Sequence, residues 1–310
     1  MRTTLTTGLA AALLAAAPAG HAADAWGFGS LGVGYEDNVV LLPEEVSTST
    51  DRGDNFLEIL GVGGLPLAGS GDTRLSLKGS LYALDYWDLN DYDLATLRAG
   101  PELKVRTGAW RWRLEASGTQ VYLGHDDFEQ LATLEGAVRH YQSRRLSWRI
   151  RYEHNWITAY RPYRYLTGSK SEAEVSVRYE ANPWRLEGGY ELELNDRKDL
   201  RQGADFSSYS PTRHTLFGKA RVHPGHWRLE LKGELRFSVY DDPYRRSGQS
   251  KTRRDFRYRL TGRIARDLTE RTGLFAEVTR TANDSNLHGN PFPDYSYVTN
   301  FYELGAQRRF

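Results

Sequence analysis

The chain has 310 residues and nearly balanced charge, Lys+Arg 41 against Asp+Glu 40, with aromatics at 12%, one methionine and no cysteine. Without cysteine there are no disulfides, thiolate metal sites, cysteine nucleophiles or lipid attachment through an N-terminal cysteine, and near-neutrality removes any bulk attraction to nucleic acid. A mean hydropathy of −0.62 reads as soluble unless the apolar residues are dispersed at every second position, because a barrel keeps its polar half inside.

In chain order, the first segment reads as an export signal. Arg2 and the amino terminus give a positive start, Leu9 to Ala19 a short apolar run, and Gly20-His21-Ala22 the small residues that a signal peptidase reads, which predicts cleavage after Ala22. A membrane anchor fits less well, since Pro18 interrupts a run that falls short of the roughly 20 apolar residues needed to span a bilayer. The expected division is a signal peptide over 1–22 and a β-barrel over 23–310, with no room for a periplasmic domain or an N-terminal plug.

Beyond it, the dominant signal is a period of two. In Leu146-Ser147-Trp148-Arg149-Ile150-Arg151-Tyr152-Glu153-His154-Asn155-Trp156, even positions are apolar or aromatic apart from His154, and odd positions are polar. The pattern recurs in Trp184 to Leu194 and, with reversed parity, in Trp227 to Phe237. None fits the three-and-four spacing of an amphipathic helix better. Weaker copies cover about 25–36, 54–65, 74–86, 93–106, 110–123, 130–141, 171–180, 212–222, 255–266, 272–281 and 297–310, which makes fourteen expected strands. Short turns fall near Ser70-Gly71-Asp72, Thr107-Gly108, Gln142-Ser143-Arg144, Ala181-Asn182-Pro183, Pro224-Gly225 and Asp267-Leu268-Thr269, where Gly, Asn, Asp and Pro suit tight turns. Longer polar connections alternate with them, near 37–53, 87–92, 124–129, 161–170, 195–211, 241–254 and 282–296. Short on one side and long on the other is the layout of a membrane barrel with periplasmic turns and outward loops.

A soluble sandwich would also alternate, but many of these segments continue for the ten or so residues that a tilted strand needs to cross a bilayer. Trp110, Trp112, Trp148, Trp184 and Trp227 open strands just after short turns, while Tyr122, Trp156, Tyr160 and Tyr240 sit near the far ends. Rings at both ends of an apolar band form the aromatic girdles of membrane barrels. The expected fold is all-β: one up-and-down antiparallel transmembrane barrel of about 14 strands. On these features the chain resembles Gram-negative outer-membrane β-barrels of porin-like type over its whole mature length. In that family the last strand carries a recognition signal for the barrel-insertion machinery. Glu303, Gly305 and terminal Phe310 match it, as do Tyr302 and Leu304 on the outward face, whereas Arg308 departs from it unless it snorkels to the headgroups. The strand count, the Trp-Arg-Leu openings and Gly-Tyr-Glu-Asp-Asn at 34–38 are similar to the barrel part of surface lipoprotein assembly modifiers and polysaccharide-export barrels, whose usual periplasmic helical repeats are absent here.

If the apolar face meets lipid, its neighbours line the lumen: Arg111, Arg113, Glu115, Arg149, Arg151, Glu153, Glu172, Glu174, Arg178, Arg185, Glu187, Glu191, Glu193, Lys219, Arg221, Arg228, Glu230, Lys232, Glu234, Arg236, Arg257, Arg259 and Arg263. The stretch 172–193 is rich in Glu, and 219–263 with 111–113 is rich in Arg and Lys. Fourteen strands about 4.8 Å apart and tilted about 40° enclose a backbone diameter of roughly 27 Å. Two readings stand side by side: a water path with a transverse field that favours polar solutes, or charges that pair along the wall and knit it shut. Arg257, Arg259 and Arg263, with Arg253 and Arg254, form the least balanced patch, so any charge selection is expected to favour anions.

Catalysis finds little support in the sequence. Of the eight histidines, His21 leaves with the signal; the others are scattered, His223 and His226 share a turn without further metal ligands, and His125-Asp126-Asp127 reads as a solvated loop. No Gly-x-Ser-x-Gly nucleophile motif occurs, nor any metal or nucleotide motif. The expectation is therefore no enzyme, no cofactor and no metal, but an outer-membrane channel or export conduit for polar or charged solutes. The alternative is a closed structural barrel that displays loops 37–53, 195–211, 241–254 and 282–296 to partners. Expected partners are outer-membrane lipid, the insertion machinery and components of an export system.

Overall fold

The computed structural model describes residues 25–41, 53–289 and 291–310; the expected signal peptide and most of the first long loop lie outside them. Eighteen strands follow in chain order: β1 (Trp26–Glu36), β2 (Asp54–Ser70), β3 (Thr73–Tyr86), β4 (Leu94–Thr107), β5 (Trp110–Leu123), β6 (Asp126–Tyr141), β7 (Leu146–Ala159), β8 (Gly168–Ala181), β9 (Trp184–Arg197), β10 (Leu200–Gln202), β11 (Asp205–Ser207), β12 (Pro211–Val222), β13 (Trp227–Tyr240), β14 (Tyr244–Arg246), β15 (Gln249–Lys251), β16 (Arg254–Asp267), β17 (Thr272–Ser285) and β18 (Tyr297–Arg309). Fourteen of them close a barrel in the order β1-β18-β17-β16-β13-β12-β9-β8-β7-β6-β5-β4-β3-β2. Every neighbouring pair is antiparallel, and β1 meets β18 from Phe28↔Arg309 to Glu36↔Phe301, which closes the ring.

Burial runs opposite to that of a soluble protein. Leu231 is 53% exposed and Leu304 64%, whereas Glu102 and Ser176 are each 2% exposed. A β-sheet places alternate side chains on opposite faces, so one face carries the leucines, valines and aromatics outward and the other packs charge inward. Only an apolar solvent outside makes that arrangement favourable. The small apolar clusters sit at the extracellular mouth: Val39, Phe56 and Tyr86, and Tyr240, Tyr244 and Leu287.

The structure departs from the expected layout in three places. The connection expected over 124–129 is a two-residue turn, with β6 beginning at Asp126. Gly124 (φ 56) and His125 (φ 73) are both left-handed, the requirement of a type I′ hairpin, which matches the twist of its flanking strands. β2 runs on to Ser70 past a bulge between Pro66 and Ala68. Finally, the loops 195–211 and 241–254 are not irregular: β10, β11, β14 and β15 make a four-stranded sheet of their own, joined across the loops at Phe206↔Arg245. Strands of three residues are too short to register as a period.

Candidate functional site

The lumen wall is the place where the fold concentrates chemistry. Arg151 on β7 contacts Glu153 at 3.3 Å, Glu174 at 3.2 Å, Glu191 at 3.3 Å and also Glu172. Reaching Glu191 on β9 passes over β8, a span available only on the concave side of a curved sheet. From this hub the network continues along the wall. Arg149 meets Glu174 and Glu135, Arg113 meets Glu135, Glu115 and Glu102, Arg98 meets Glu115 at 2.6 Å, and Lys78 and Lys104 each meet Glu102 at 2.8 Å. The Glu-rich stretch that stood out in the sequence is thus neutralised. Glu172, Glu191 and Glu193 place carboxylate oxygens within 4.8 Å of one another, but Arg151, Lys170 and Arg213 already lie against them.

The remaining residues named from the sequence fall into local pairs. Arg178 meets Glu187 at 2.9 Å, Arg213 meets Glu193 at 2.6 Å, and Lys219 and Arg221 both meet Glu230 at 2.5 Å. Arg228 meets Asp267 at 2.8 Å, Lys232 meets Glu234 at 2.7 Å and Arg263 meets Glu277 at 3.1 Å. Arg111 and Arg185 lie at the periplasmic rim, the first donating to the carbonyls of Gly108 and Trp110 and the second 3.0 Å from Glu180.

Three arginines differ from the rest. Arg236 donates only to the Thr215 hydroxyl, at 3.2 Å, and faces Arg257 in register, while Arg259 faces Glu234. Neither Arg257 nor Arg259 has an ion-pair partner among the described residues. Both line a 300 Å³ space in the lumen whose other walls include Glu36, Glu58, Glu277, Tyr82, Thr279 and Thr299. A second space of 280 Å³ shares Glu58 and Glu277 with it and adds Arg221, Arg228, Arg263 and Gln307. The acidic side is held by hydroxyls: Glu36 accepts from Tyr86 at 2.5 Å and Thr299 at 3.0 Å, and Glu58 from Tyr82 at 3.2 Å. Two cations of β16 therefore share one cavity with carboxylates from β1, β2 and β17.

Several of these groups escaped the sequence reading. Lys78, Arg98, Glu102 and Glu135 follow the same parity in strands whose alternation is weaker. Glu303, expected only as part of the end-of-chain signal, turns inward and lies where a side chain at Gly32 would be. Tyr240, expected in the outer girdle, also turns inward. It packs with Tyr244 and Leu287, and its ring lies 4.5 Å from the Arg253 guanidinium, which stacks on Tyr295 at 3.5 Å and binds both oxygens of Asp255. Burial opposes the charge of Arg253, but the Asp255 hydrogen bond and the surrounding rings outweigh it and raise its pKa. The cluster ties residues of the loops 241–254 and 282–296 to the ends of β13 and β16.

Outside the lumen, Trp112, Trp156, Trp184 and Trp227 are exposed on the outward face, and Trp110 stacks on Trp112 and edge-on against Trp148. Tyr302 and Leu304 also point outward; Gly305 lies against the Phe275 ring, and Arg308 lies 5.2 Å from the Phe310 ring. His125-Asp126-Asp127 is not a cluster in space: His125 stands 3.2 Å from Asp93, and Asp127 accepts from Gln120 at 3.0 Å. Burial, reinforced by Asp85, pushes the Asp93 carboxyl up to about 6 against the Tyr86 amide and His125.

No protein-family model matches the chain and no curated protein is similar to it in sequence. Solved structures share its fold. OmpT folded in vitro, an outer membrane protein of Vibrio cholerae, superposes with a TM-score of 0.54 at 8% identity, covering 93% of this chain and 97% of that one. The outer membrane channel DcaP of Acinetobacter baumannii superposes with a TM-score of 0.51 at 11% identity, covering 93% of this chain and 96% of that one. The exclusion of catalysis drawn from the missing nucleophile motif is corrected by these matches: OmpT and DcaP share one architecture, and a barrel matched at 8% identity fixes neither a catalytic nor a non-catalytic role. What the likeness shows is the fold, a porin-like outer-membrane β-barrel.

Proposed function

We propose that the chain is an outer-membrane channel for small polar solutes, with a preference for anions set by Arg236, Arg257 and Arg259. The observation that carries this reading is the pair of lumen arginines without ion-pair partners, lining a cavity opposite three carboxylates. A cation that lines the lumen without an ion-pair partner adds to the field of the wall and raises the local concentration of anions along the path. DcaP, which shares the fold, is an outer membrane channel, which agrees with the reading. Insertion through the terminal strand, with Tyr302, Leu304, Gly305 and Phe310 read by the insertion machinery after removal of residues 1–22, belongs to the same proposal.

The test is single-channel recording in planar bilayers under a salt gradient. Wild type is expected to conduct with anions favoured, and replacement of Arg257 and Arg259 by Glu should move the permeability ratio about tenfold toward cations, with the Gln pair in between. A conducting barrel whose ratio does not move would reject the anion preference. A well-folded barrel with no current would favour the second reading, a closed structural barrel, which the ion-pair network from β3 to β9 and the packed mouth support.

A further inference from the structure

The outer wall carries a groove that solute passage does not use. On the outward face of adjacent strands, Gly188 of β9 stands opposite Gly218 of β12, and Gly218 opposite Gly233 of β13. Three missing side chains leave a trough in the apolar belt. It opens into a cavity of 860 Å³ walled by Val175, Val177, Leu216, Leu235 and Leu260. Nothing lies within 4 Å of the place where a side chain on Gly218 would begin.

The same register row continues from Gly233 to Leu260, from Leu260 to Arg280 and from Arg280 to Asn300. Because barrel strands are tilted, a row perpendicular to them climbs the wall. Gly188 lies mid-strand, whereas Asn300 lies close to the loop end of β18. The trough therefore slopes upward to a cation. From Gly188 to Arg280 the row crosses four interstrand spacings of about 4.8 Å, roughly 19 Å in all, with the outward Leu260 side chain standing between Gly233 and Arg280 and the cavity reaching Arg280 beside it. Arg280 is exposed and is held in place: its Nη1 donates to Asn300 Oδ1 at 3.1 Å and its Nε to the Tyr258 hydroxyl at 3.5 Å. Asn300 is fixed in turn, because its amide nitrogens donate to both oxygens of Asp37, at 2.7 and 2.6 Å. A guanidinium set at the tyrosine level of a lipid-facing wall, at the head of an apolar trough of acyl-chain length, complements one class of molecule.

We propose that this groove binds an anionic lipid, with one acyl chain lying along Gly188, Gly218 and Gly233 and the phosphate of its headgroup on Arg280. The residues proposed to hold the lipid, Gly188, Gly218, Gly233 and Arg280, lie on the outward face, so the site is independent of conduction.

The experiment extracts the folded protein from vesicles of equal parts phosphatidylglycerol and phosphatidylcholine and counts retained lipid by native mass spectrometry. Wild type is expected to keep phosphatidylglycerol over phosphatidylcholine by about fivefold, as one cation at a membrane surface allows. Arg280→Gln should keep lipid but lose the preference. Gly218→Leu, whose Cβ meets nothing within 4 Å and whose side chain would occupy the trough, should lose retained lipid of both kinds. Gly233→Val serves the same purpose if Gly218→Leu does not fold, as judged by unchanged mobility on heating in a gel. Equal retention of the two lipids by wild type would overturn the proposal, as would retention unaffected by both substitutions, or a lipid-free dimer that Gly218→Leu dissociates. Conductance is expected to be the same in all these variants, so a failure here is separate from a failure of the channel reading.

Discussion

Arg151 shows what a single inward residue does in this wall. Four glutamates from three strands approach it, and with only 14% of its side chain exposed it is largely removed from the water that would otherwise screen them. Removing one partner of a buried ionic group costs far more than the group contributes when intact, because the charges left behind are uncompensated. Arg151→Met is therefore expected to lower stability by about 3–5 kcal/mol, read from urea unfolding in lipid vesicles. Arg185→Met, at the rim with 42% of its side chain exposed, should cost about 1 kcal/mol or less; similar losses for the two would mean that the network is no stronger than surface pairing. That both arginines face inward follows from parity alone. That one is a hub and the other a rim pair does not, since it depends on which strands become neighbours, how their registers align and how far each side chain reaches over an intervening strand. The sequence therefore suggested an acidic sector where the folded wall is compensated, and it identified the basic sector, where Arg257 and Arg259 have no ion-pair partners.

At the level of the strand, alternation made the fourteen barrel strands legible because each must satisfy lipid on one side and water or charge on the other, over more residues than a soluble strand needs. Legibility failed where backbone conformation, not pattern, decides: at the left-handed pair Gly124-His125, and in the three-residue strands β14 and β15, whose Ser247-Gly248 turn has φ values of 50 and 80. One interruption inside the barrel illustrates the same physics. Between β4 and β5 the pairing breaks from Ala99↔Gly118 to Glu102↔Glu115, where Pro101 has no amide hydrogen to offer. The adjacent Gly100 lets the strands draw close: a Cβ there would fall 1.9 Å from the Ala116 carbonyl oxygen and 2.6 Å from the Ser117 Cα. Backbone cannot move aside as a side chain can, so Gly100→Val is expected to cost at least the roughly 1–3 kcal/mol of an overpacked site. Gly118→Val, with nothing within 4 Å, should be close to neutral. Equal unfolding midpoints for the two variants would show that the break is not sterically set.

For the whole molecule, the barrel and its extracellular cap are separable structures. The ring of fourteen strands closes through β1 and β18 without any residue of the small sheet. The two loops of the sheet are joined by the Tyr244 hydroxyl on the Ser208 carbonyl at 2.8 Å, and the sheet is fastened to the ring by the packing of Tyr244 and Leu287 against Tyr240, the last residue of β13. Burial keeps the Tyr244 hydroxyl protonated well beyond its usual range, so this tie persists across the pH range in which an envelope protein works. Loops that cover a mouth limit current by occupying its cross-section, whereas the selectivity of the path beneath depends on the charges that line it. Replacing Leu200–Ser207 and Tyr244–Lys251 by short Gly-Ser links is therefore expected to leave the heat-dependent gel shift of the folded barrel intact and to raise single-channel conductance severalfold, while the anion preference carried by Arg257 and Arg259 stays as it was. A conductance unchanged by the excision would place the limiting section below the cap, at the cavity between Arg259 and Glu58. A loss of preference together with the cap would move selectivity to the basic side chains of the sheet itself, Arg201, Arg245 and Arg246, and away from the lumen wall.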